Sequence, residues 1–215
     1  MADINNDQVL AWLSACAEAM TEHKQELTDL DAATGDADHG NNMARGFDKV
    51  QSSLEGHAGK SAGDVLKAVA MTLMSSVGGA SGPLYGSYFM EASKIIQSSD
   101  GITTSELADM LRAGVDAVKR RGRAETGEKT MIDALEPAAT AAKQASSEDK
   151  DVLAILKDVV AAAKTGMEHT TELKATKGRA SYQGDKSIGH QDPGATSSYY
   201  MLQALYDVMT AEFPT

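Results

Sequence analysis

The stretch LAILKDVVAAAKTGM, residues 153–167, places apolar side chains at alternating steps of three and four residues. This spacing puts them along one narrow stripe of an α-helix, as in a helix that packs in a bundle. Similar spacing recurs along most of the chain. Val, Ile and Thr, in contrast, form no alternating runs of the kind that a half-buried β-strand needs. The sequence therefore predicts an all-α fold.

Caps and apolar spacing divide the chain into eight predicted helices. A helix that follows an Asp7 cap is expected to continue to Gly35, and a helix over residues 131–145 is expected to kink or restart at Pro137, because proline removes a backbone donor. The remaining expected starts are the caps Asn41 and Asn42, Ser61 and Thr104, residue Leu84, the apolar run from Leu153, and Asp192 with Pro193 at the first helical position.

Composition limits the function classes. With 215 residues, 42% of them hydrophobic, residues 1–215 are expected to form one domain with a single core. The net charge of -11 argues against nucleic acid as a ligand. For the same reason, an anionic ligand would need a metal ion to bridge it to the protein. No apolar run reaches the roughly 18 residues of a membrane span. The lone Cys16 fits a reducing cytoplasm.

An acidic loop carries the strongest chemical signal. Asp31, Asp36 and Asp38 lie within eight residues. Three converging carboxylates would repel one another by about 4 kcal/mol per pair, so a cation would stabilise them. An EF-hand would need Gly at Asn41 and an acid at Phe47, which leaves Mg²⁺, with phosphate on free backbone donors of the helix start that follows. An alternative is that these residues are only turn and cap residues.

Two glycine-bearing stretches could approach a ligand closely. GGASGP, residues 78–83, has little side-chain bulk, although a tight turn between helices explains it nearly as well. GRAETGEKT, residues 122–130, is one residue longer than a phosphate-binding P-loop, but it follows a predicted helix rather than a strand, so we reject that assignment.

Residues 177–194 gather basic side chains in an otherwise acidic protein. Lys177, Arg179, Lys186 and His190 could contact phosphate, or they could be solvated charges. His39 could be a ligand, a phosphate donor or an ordinary loop histidine. The residues alone leave these alternatives open.

Three motifs together carry a resemblance. GDADHGNNM from Gly35, SSVGGASGPL from Ser75 and GRASYQGDKSIGHQDPGAT from Gly178 closely resemble the L subunits of dihydroxyacetone kinases, over essentially the whole chain. The resemblance implies an antiparallel barrel of eight amphipathic helices with tightly bound ADP or ATP at one end. It implies that Asp31, Asp36 and Asp38 hold two Mg²⁺, and that the nucleotide contacts are His39, Gly40, Asn41, Asn42, Ala80, Ser81, Gly122, Met131, Arg179, Asp192, Pro193 and Gly194.

The resemblance also implies partners. Dihydroxyacetone is expected on a histidine of a separate K subunit, with Arg179, Asp36 and Asp38 of this chain as catalytic residues. Relatives that use ATP usually fuse the K and L parts, so this chain is expected to be the phosphotransferase-system form, whose ADP is rephosphorylated by a phosphohistidine subunit M.

Other functions stay open. They are an ATP-dependent dihydroxyacetone kinase, the nucleotide domain of a fatty-acid kinase, and a nucleotide-sensing adaptor of a transcriptional regulator. A homodimer is also compatible with the sequence, whereas neither nucleic acid nor a membrane is an expected partner.

Overall fold

The computed structural model describes residues 4–97 and 101–212. Within these ranges there is no β-strand, only one isolated bridge between Ile4 and Ile102, so the predicted all-α fold is confirmed. Short 3₁₀ segments cover Glu55–His57 and Arg179–Ser187. The α-helices are α1 (Asn6–Glu22), α2 (Lys24–Thr34), α3 (His39–Leu54), α4 (Ala62–Ser76), α5 (Ser81–Ile95), α6 (Thr104–Gly122), α7 (Ile132–Ser147), α8 (Val152–His169) and α9 (Pro193–Glu212).

Eight of these helices close into a ring. Each helix from α3 to α9 packs against the next, α9 packs against α1, and α1 packs against α3. The shorter α2 lies against α3 and α9. The predicted stripe on α8 faces the core, since Leu156, Val160, Ala163 and Met167 are buried. In the centre, the Trp12 indole donates a hydrogen bond to the carbonyl of Met201, 2.8 Å away, which joins α1 to α9.

Residues 4–97 and 101–212 contain nine α-helices where eight were predicted, because the first predicted helix breaks at His23. That residue has φ -90° and ψ 11°, and its ring stacks on Tyr200 of α9 at 3.9 Å between centroids. A carboxylate oxygen of Glu26 lies 2.9 Å from His23 Nδ1. The stacking contact with α9 holds the break together with the local contact to Glu26, and the apolar spacing of α1 and α2 reveals neither.

Several predicted helix starts are shifted. Asn5 and Thr103, rather than Asp7 and Thr104, cap α1 and α6, each in a capping box with Gln8 or Glu106. The predicted caps Asn41 and Asn42 lie inside the first turn of α3, whose N-cap is Asp38. The predicted caps at Ser61 and Asp192 are confirmed, because their side-chain oxygens accept the amide N–H groups of Asp64 and Ala195.

Pro137 does not restart the helix, which was one of the two predicted outcomes, since α7 runs without interruption from Ile132 to Ser147. Proline removes the donor that would bond to the carbonyl of Asp133. The backbone of Gly166 in α8 packs against this carbonyl so closely that a side chain at Gly166 would overlap it. None of the helices in the described ranges is both long and apolar enough to cross a bilayer.

Candidate functional site

A cavity of about 420 Å³ opens at one end of the ring. Its walls come from the carboxyl ends of α2, α4 and α6 and from the amino ends of α3, α5, α7 and α9. Because helix ends and helix starts alternate along the chain, consecutive helices around the cavity run in opposite directions. The three glycine-bearing stretches singled out in the sequence, residues 78–83, 122–130 and 177–194, therefore meet at this cavity.

The acidic loop lies at one side of the cavity. Asp31 comes from the last turn of α2, and Asp36 and Asp38 come from the connection to α3. Each contributes one carboxylate oxygen to a cluster in which all three oxygens lie within 4.8 Å of one another. Between the last two, Ala37 has the positive φ of 60°, an uncommon backbone for a non-glycine residue. The predicted convergence of the three carboxylates is thus present.

Asp31 also organises the start of α3. Its Oδ2 accepts the backbone N–H groups of Asp38 at 2.8 Å and His39 at 3.1 Å. Its Oδ1 occupies the space that a side chain at Gly35 would fill, so the Asp31 carboxylate can keep this position only if residue 35 is glycine. The sequence prediction of free amide donors for phosphate at this helix start is wrong for these two groups, because a carboxylate of the same chain already binds them.

His39 is buried in the first turn of α3, and hydroxyl groups flank its ring. Nε2 lies 2.9 Å from Ser197 Oγ, and Nδ1 lies 3.3 Å from Ser81 Oγ. Burial lowers the pKa of His39 to about 4, although the carboxylates of Asp31 and Asp38 act in the opposite direction. The ring is therefore neutral near pH 7 and offers a hydrogen bond rather than a positive charge.

Ser197 and Tyr85 lie near His39 and were not predicted from the sequence as site residues. Ser197, in the first turns of α9, bonds to His39 and lies 2.7 Å from the hydroxyl of Tyr85. That hydroxyl lies 2.9 Å from Ser198 Oγ and donates to the carbonyl of Gly194 at 3.1 Å. The only sequence signal was a run of hydroxyl residues, 196–198, on the buried start of a helix.

Three of the residues expected at the nucleotide do not line the cavity. The Gly40 backbone packs against the carbonyl of Lys24, and Asn41 is exposed. Asn42 is buried, accepts a hydrogen bond from Arg45 at 2.6 Å, and lies against Gly78 without room for a side chain there. In this structure Gly40 and Asn42 pack within the protein beside the cavity, and Asn41 faces solvent.

The remaining expected residues line the cavity. One wall is apolar, which suits a flat ring, and consists of Pro83, Leu84, Val118, Ala124, Met131 and Ile132. The backbone of Gly79, Ala80, Ser81 and Gly122 adds surface with little bulk. Pro193 and Gly194 complete this side. The cavity therefore combines an apolar wall with a carboxylate cluster.

Basic groups of the 177–194 stretch divide into two sets. Lys177 and Arg179 line the cavity, whereas Lys186 and His190 do not. Arg179 Nη1 lies 2.8 Å from Asp36 Oδ2. Asp192 is half-buried just before α9, and desolvation of its carboxyl together with the nearby carboxylate of Asp133 raises its pKa to about 7.

Comparisons with known proteins agree with this architecture. Residues 33–207 match the model of the DAK2 domain family. The chain is 45% identical over 202 residues to the ADP-binding subunit of PEP-dependent dihydroxyacetone kinase from Escherichia coli, covering 94% of this chain and 96% of that protein. It is 43% identical over 203 residues to the ADP-binding subunit of PTS-dependent dihydroxyacetone kinase from Lactococcus lactis, covering 94% and 97%.

A solved structure shows the same fold. The dihydroxyacetone kinase of C. freundii in complex with AMP-PNP and Mg²⁺ matches with a TM-score of 0.73 at 24% identity. The match covers 94% of this chain and 34% of that one, so the fold corresponds to about a third of the larger protein.

Proposed function

Because this chain belongs to the DAK2 domain family, we propose that it is the ADP-binding subunit of a PEP-dependent dihydroxyacetone kinase. One observation carries the proposal: three carboxylate oxygens lie within 4.8 Å of one another beside a cavity with an apolar wall. That combination suits a nucleotide whose phosphates are bound through metal ions. Two ADP-binding subunits of dihydroxyacetone kinases are 45% and 43% identical to this chain over 94% of its length, which supports the same function.

The donor set fits magnesium. Asp31, Asp36 and Asp38 offer only oxygen ligands, and Mg²⁺ prefers oxygen ligands completed by water and phosphate. Asp31 is the most restrained of the three, since two backbone N–H groups fix one of its oxygens. We propose that these residues hold two Mg²⁺. When bound, the ions would neutralise negative charge on the phosphate oxygens.

The cavity then divides between base and phosphate. The apolar wall, with Met131 and the backbone of Gly122, would receive the adenine ring, and Asp192, Pro193 and Gly194 would border it. Ala80, Ser81 and the neutral ring of His39 would contact the phosphate side. Gly40, Asn41 and Asn42 would act through the shape of the turn, since they do not line the cavity.

Phosphoryl transfer needs positioning and charge stabilisation more than covalent chemistry. We assign Arg179, Asp36 and Asp38 as catalytic residues, with the planar guanidinium of Arg179 suited to bind two phosphate oxygens. In the forward step the bond between the terminal phosphorus and the bridging oxygen of ATP would break, and that phosphorus would bond to a hydroxyl oxygen of dihydroxyacetone held by the K subunit. The hydroxyl proton would be released, and ADP would remain on this chain. A phosphohistidine of the M subunit then returns a phosphoryl group to ADP.

Other functions remain as alternatives. An ATP-dependent dihydroxyacetone kinase would exchange ADP freely with solvent, and a fatty-acid kinase would phosphorylate an acyl acceptor. An adaptor for a transcriptional regulator would bind nucleotide and regulator without turnover. The neutral His39 between two serine hydroxyls favours the dihydroxyacetone kinase over the fatty-acid kinase, which resembles this chain in its acidic loop but has Thr at this position.

Two measurements test the proposal. Mass spectrometry of ligand released from freshly purified protein should detect an adenine nucleotide, and a chelator should accelerate its loss. The protein mixed with purified K and M subunits, dihydroxyacetone and PEP should form dihydroxyacetone phosphate. Protein that carries no adenine nucleotide and takes up none with Mg²⁺ would refute the proposal. Activity with free ATP but not with the M subunit would favour the ATP-dependent alternative.

A further inference from the structure

Lys129 is a buried lysine whose ammonium group bonds to backbone carbonyls. Lys129 is 1% exposed and lies just before α7. Nζ donates to the carbonyls of Thr170 at 2.6 Å and Leu173 at 3.2 Å, and it also donates to the carbonyl of His190. An ammonium group has three N–H donors, so all of them are used.

The three acceptors lie at the two ends of one segment. We call residues 170–192, between α8 and α9, the closing loop. Thr170 and Leu173 lie at its start and His190 lies near its end, so Lys129 bonds both ends at once. The middle of the closing loop supplies residues 177–180 of the cavity wall, including Arg179. The position of this wall therefore depends on how its ends are held.

Other hydrogen bonds also hold the closing loop in place. The Gly189 N–H donates to the carbonyl of Thr171 at 2.8 Å, and the Asp192 N–H donates to Thr170 Oγ1 at 2.9 Å. Near the middle, the Thr176 N–H reaches the carbonyl of Glu128 at 3.3 Å. The Ala175 N–H also donates to Ser187 Oγ at 2.9 Å. Lys129 adds three hydrogen bonds from one side chain, and these reach both the start and the end of the loop.

The burial of this ammonium group is otherwise unfavourable. Asp192 and Asp133 act on it from nearby, but neither forms an ion pair with it among the residues that the structure describes. Burial lowers the pKa of Lys129. Its backbone also has a φ of 60°, a conformation more typical of glycine. A lysine in this place costs stability in two ways, so its three hydrogen bonds are the feature that explains it.

We propose that Lys129 is a positioning residue that holds the closing loop against the cavity and so places Arg179 beside the acidic loop. The effect of Lys129 on ligand binding rests on the proposed function, whereas the effect of Lys129 on the closing loop does not. Lys129 itself lines the cavity, but its ammonium group is committed to three backbone carbonyls, so we assign it no contact with the reacting atoms. It acts through the carbonyls of the closing loop.

Hydrogen exchange measured by mass spectrometry tests the effect on the loop. In Lys129→Met, which keeps the volume of the side chain and removes the charge, amides of residues 171–191 should exchange at least about tenfold faster, while the helices keep their protection. Lys174→Met is the matched control, because its exposed ammonium pairs with Asp185 within the same loop. Equal loop protection in Lys129→Met and wild type would overturn the inference.

Binding of Mg²⁺ and ADP, measured by calorimetry, tests the consequence. The affinity should fall about tenfold or more in Lys129→Met and stay unchanged in Lys174→Met. If wild-type protein fails to bind ADP, the proposed function fails, and the exchange data alone decide the role of Lys129. If wild type and Lys129→Met bind equally, the inference fails and the proposed function stands.

A wild-type measurement covers the case in which Lys129→Met does not fold. Protein labelled with ¹⁵N-lysine should show one ammonium signal whose protons exchange slowly with water near pH 7, as expected for a buried group with three acceptors. A spectrum without such a signal would overturn the inference.

Discussion

Arg179 Nη1 lies 2.8 Å from Asp36 Oδ2, which joins the closing loop to the acidic loop across the mouth of the cavity. The side chains are 61% and 34% exposed, so this pair contributes about 1 kcal/mol or less to stability. A metal ion bound by Asp36 would compete with the guanidinium for the same carboxylate. Binding of the ion would therefore free Arg179 to contact a phosphate.

This competition predicts two opposite effects of Arg179→Met. Without nucleotide, Mn²⁺ should bind a few-fold more tightly, because the competing cation is gone. Phosphoryl transfer should fall about 100-fold or more, since a charge that stabilises the transferred group is lost. Electron paramagnetic resonance of free Mn²⁺ and the three-subunit assay measure the two effects. Lys186→Met, in the same loop but outside the cavity lining, should change neither, and weaker Mn²⁺ binding in Arg179→Met would contradict the competition.

Asp36→Asn tests the metal cluster directly. We expect transfer to fall about 100-fold or more, because one charged oxygen ligand is lost. The free energy of unfolding without metal should change by less than about 1 kcal/mol, since the variant loses only an exposed ion pair and also relieves repulsion from Asp31 and Asp38. Urea unfolding and the three-subunit assay check both points. Asp29→Asn, on the exposed surface of α2, is the control, and normal activity in Asp36→Asn would rule out its assigned role.

Gly35→Ala should displace the Asp31 carboxylate, because the new methyl group would overlap Oδ1. We expect the affinity for divalent ions to fall about 10-fold to 100-fold, as for other changes that misplace a ligand. Gly56→Ala is a matched control, since a side chain at Gly56 meets no atom within 4 Å. Calorimetric titration with Mg²⁺ in the presence of ADP measures the difference, and equal affinities for the two variants would show that Gly35 is not needed for the cluster.

Asp192→Asn should change how stability depends on pH. The folded protein raises the pKa of Asp192 from 3.8 to about 7, so it keeps a proton that the unfolded chain has lost. The stability contributed by wild-type Asp192 is thus lost as pH rises through this range. Asn cannot ionise but can still accept the Ala195 N–H, so the variant should gain stability relative to wild type between about pH 5 and about pH 8.

Urea unfolding at both pH values measures this gain. Asp185 provides the control, because the Lys174 ammonium lowers the pKa of its exposed carboxyl. Both its folded and unfolded forms are ionised over this interval, so Asp185→Asn should show a constant difference from wild type. A constant difference for Asp192→Asn as well would contradict the raised pKa.

Local rules predicted much of the fold. The stripe along residues 153–167 identified α8, because Leu156, Val160 and Ala163 follow helical spacing and are buried. The start of α9 was identified by its cap, Asp192, and by Pro193 at the first helical position. The break at His23 was not predictable, since a stacking contact with Tyr200 of a distant helix holds it. The shifted starts at Asn5 and Thr103 do have a local signal, because each is followed three residues later by its capping partner, Gln8 or Glu106.

The candidate site was predictable to a similar extent. The spacing of the three aspartates suggested their convergence, and the structure has it. Spacing could not show that Asp31 binds the amides of Asp38 and His39, because that depends on the angle between α2 and α3. The contacts of Ser197 and Tyr85 with each other and around His39 join three helices, and no pattern within one helix encodes them.

The packing of α9 against α1 has a consequence for synthesis of the protein. The ring cannot close until α9 has left the ribosome, although α3 to α8 can begin to pair with their neighbours earlier. Since the start of α9 also borders the cavity, a nascent chain would have no complete nucleotide site. ADP could therefore stabilise the fold only after α9 has emerged.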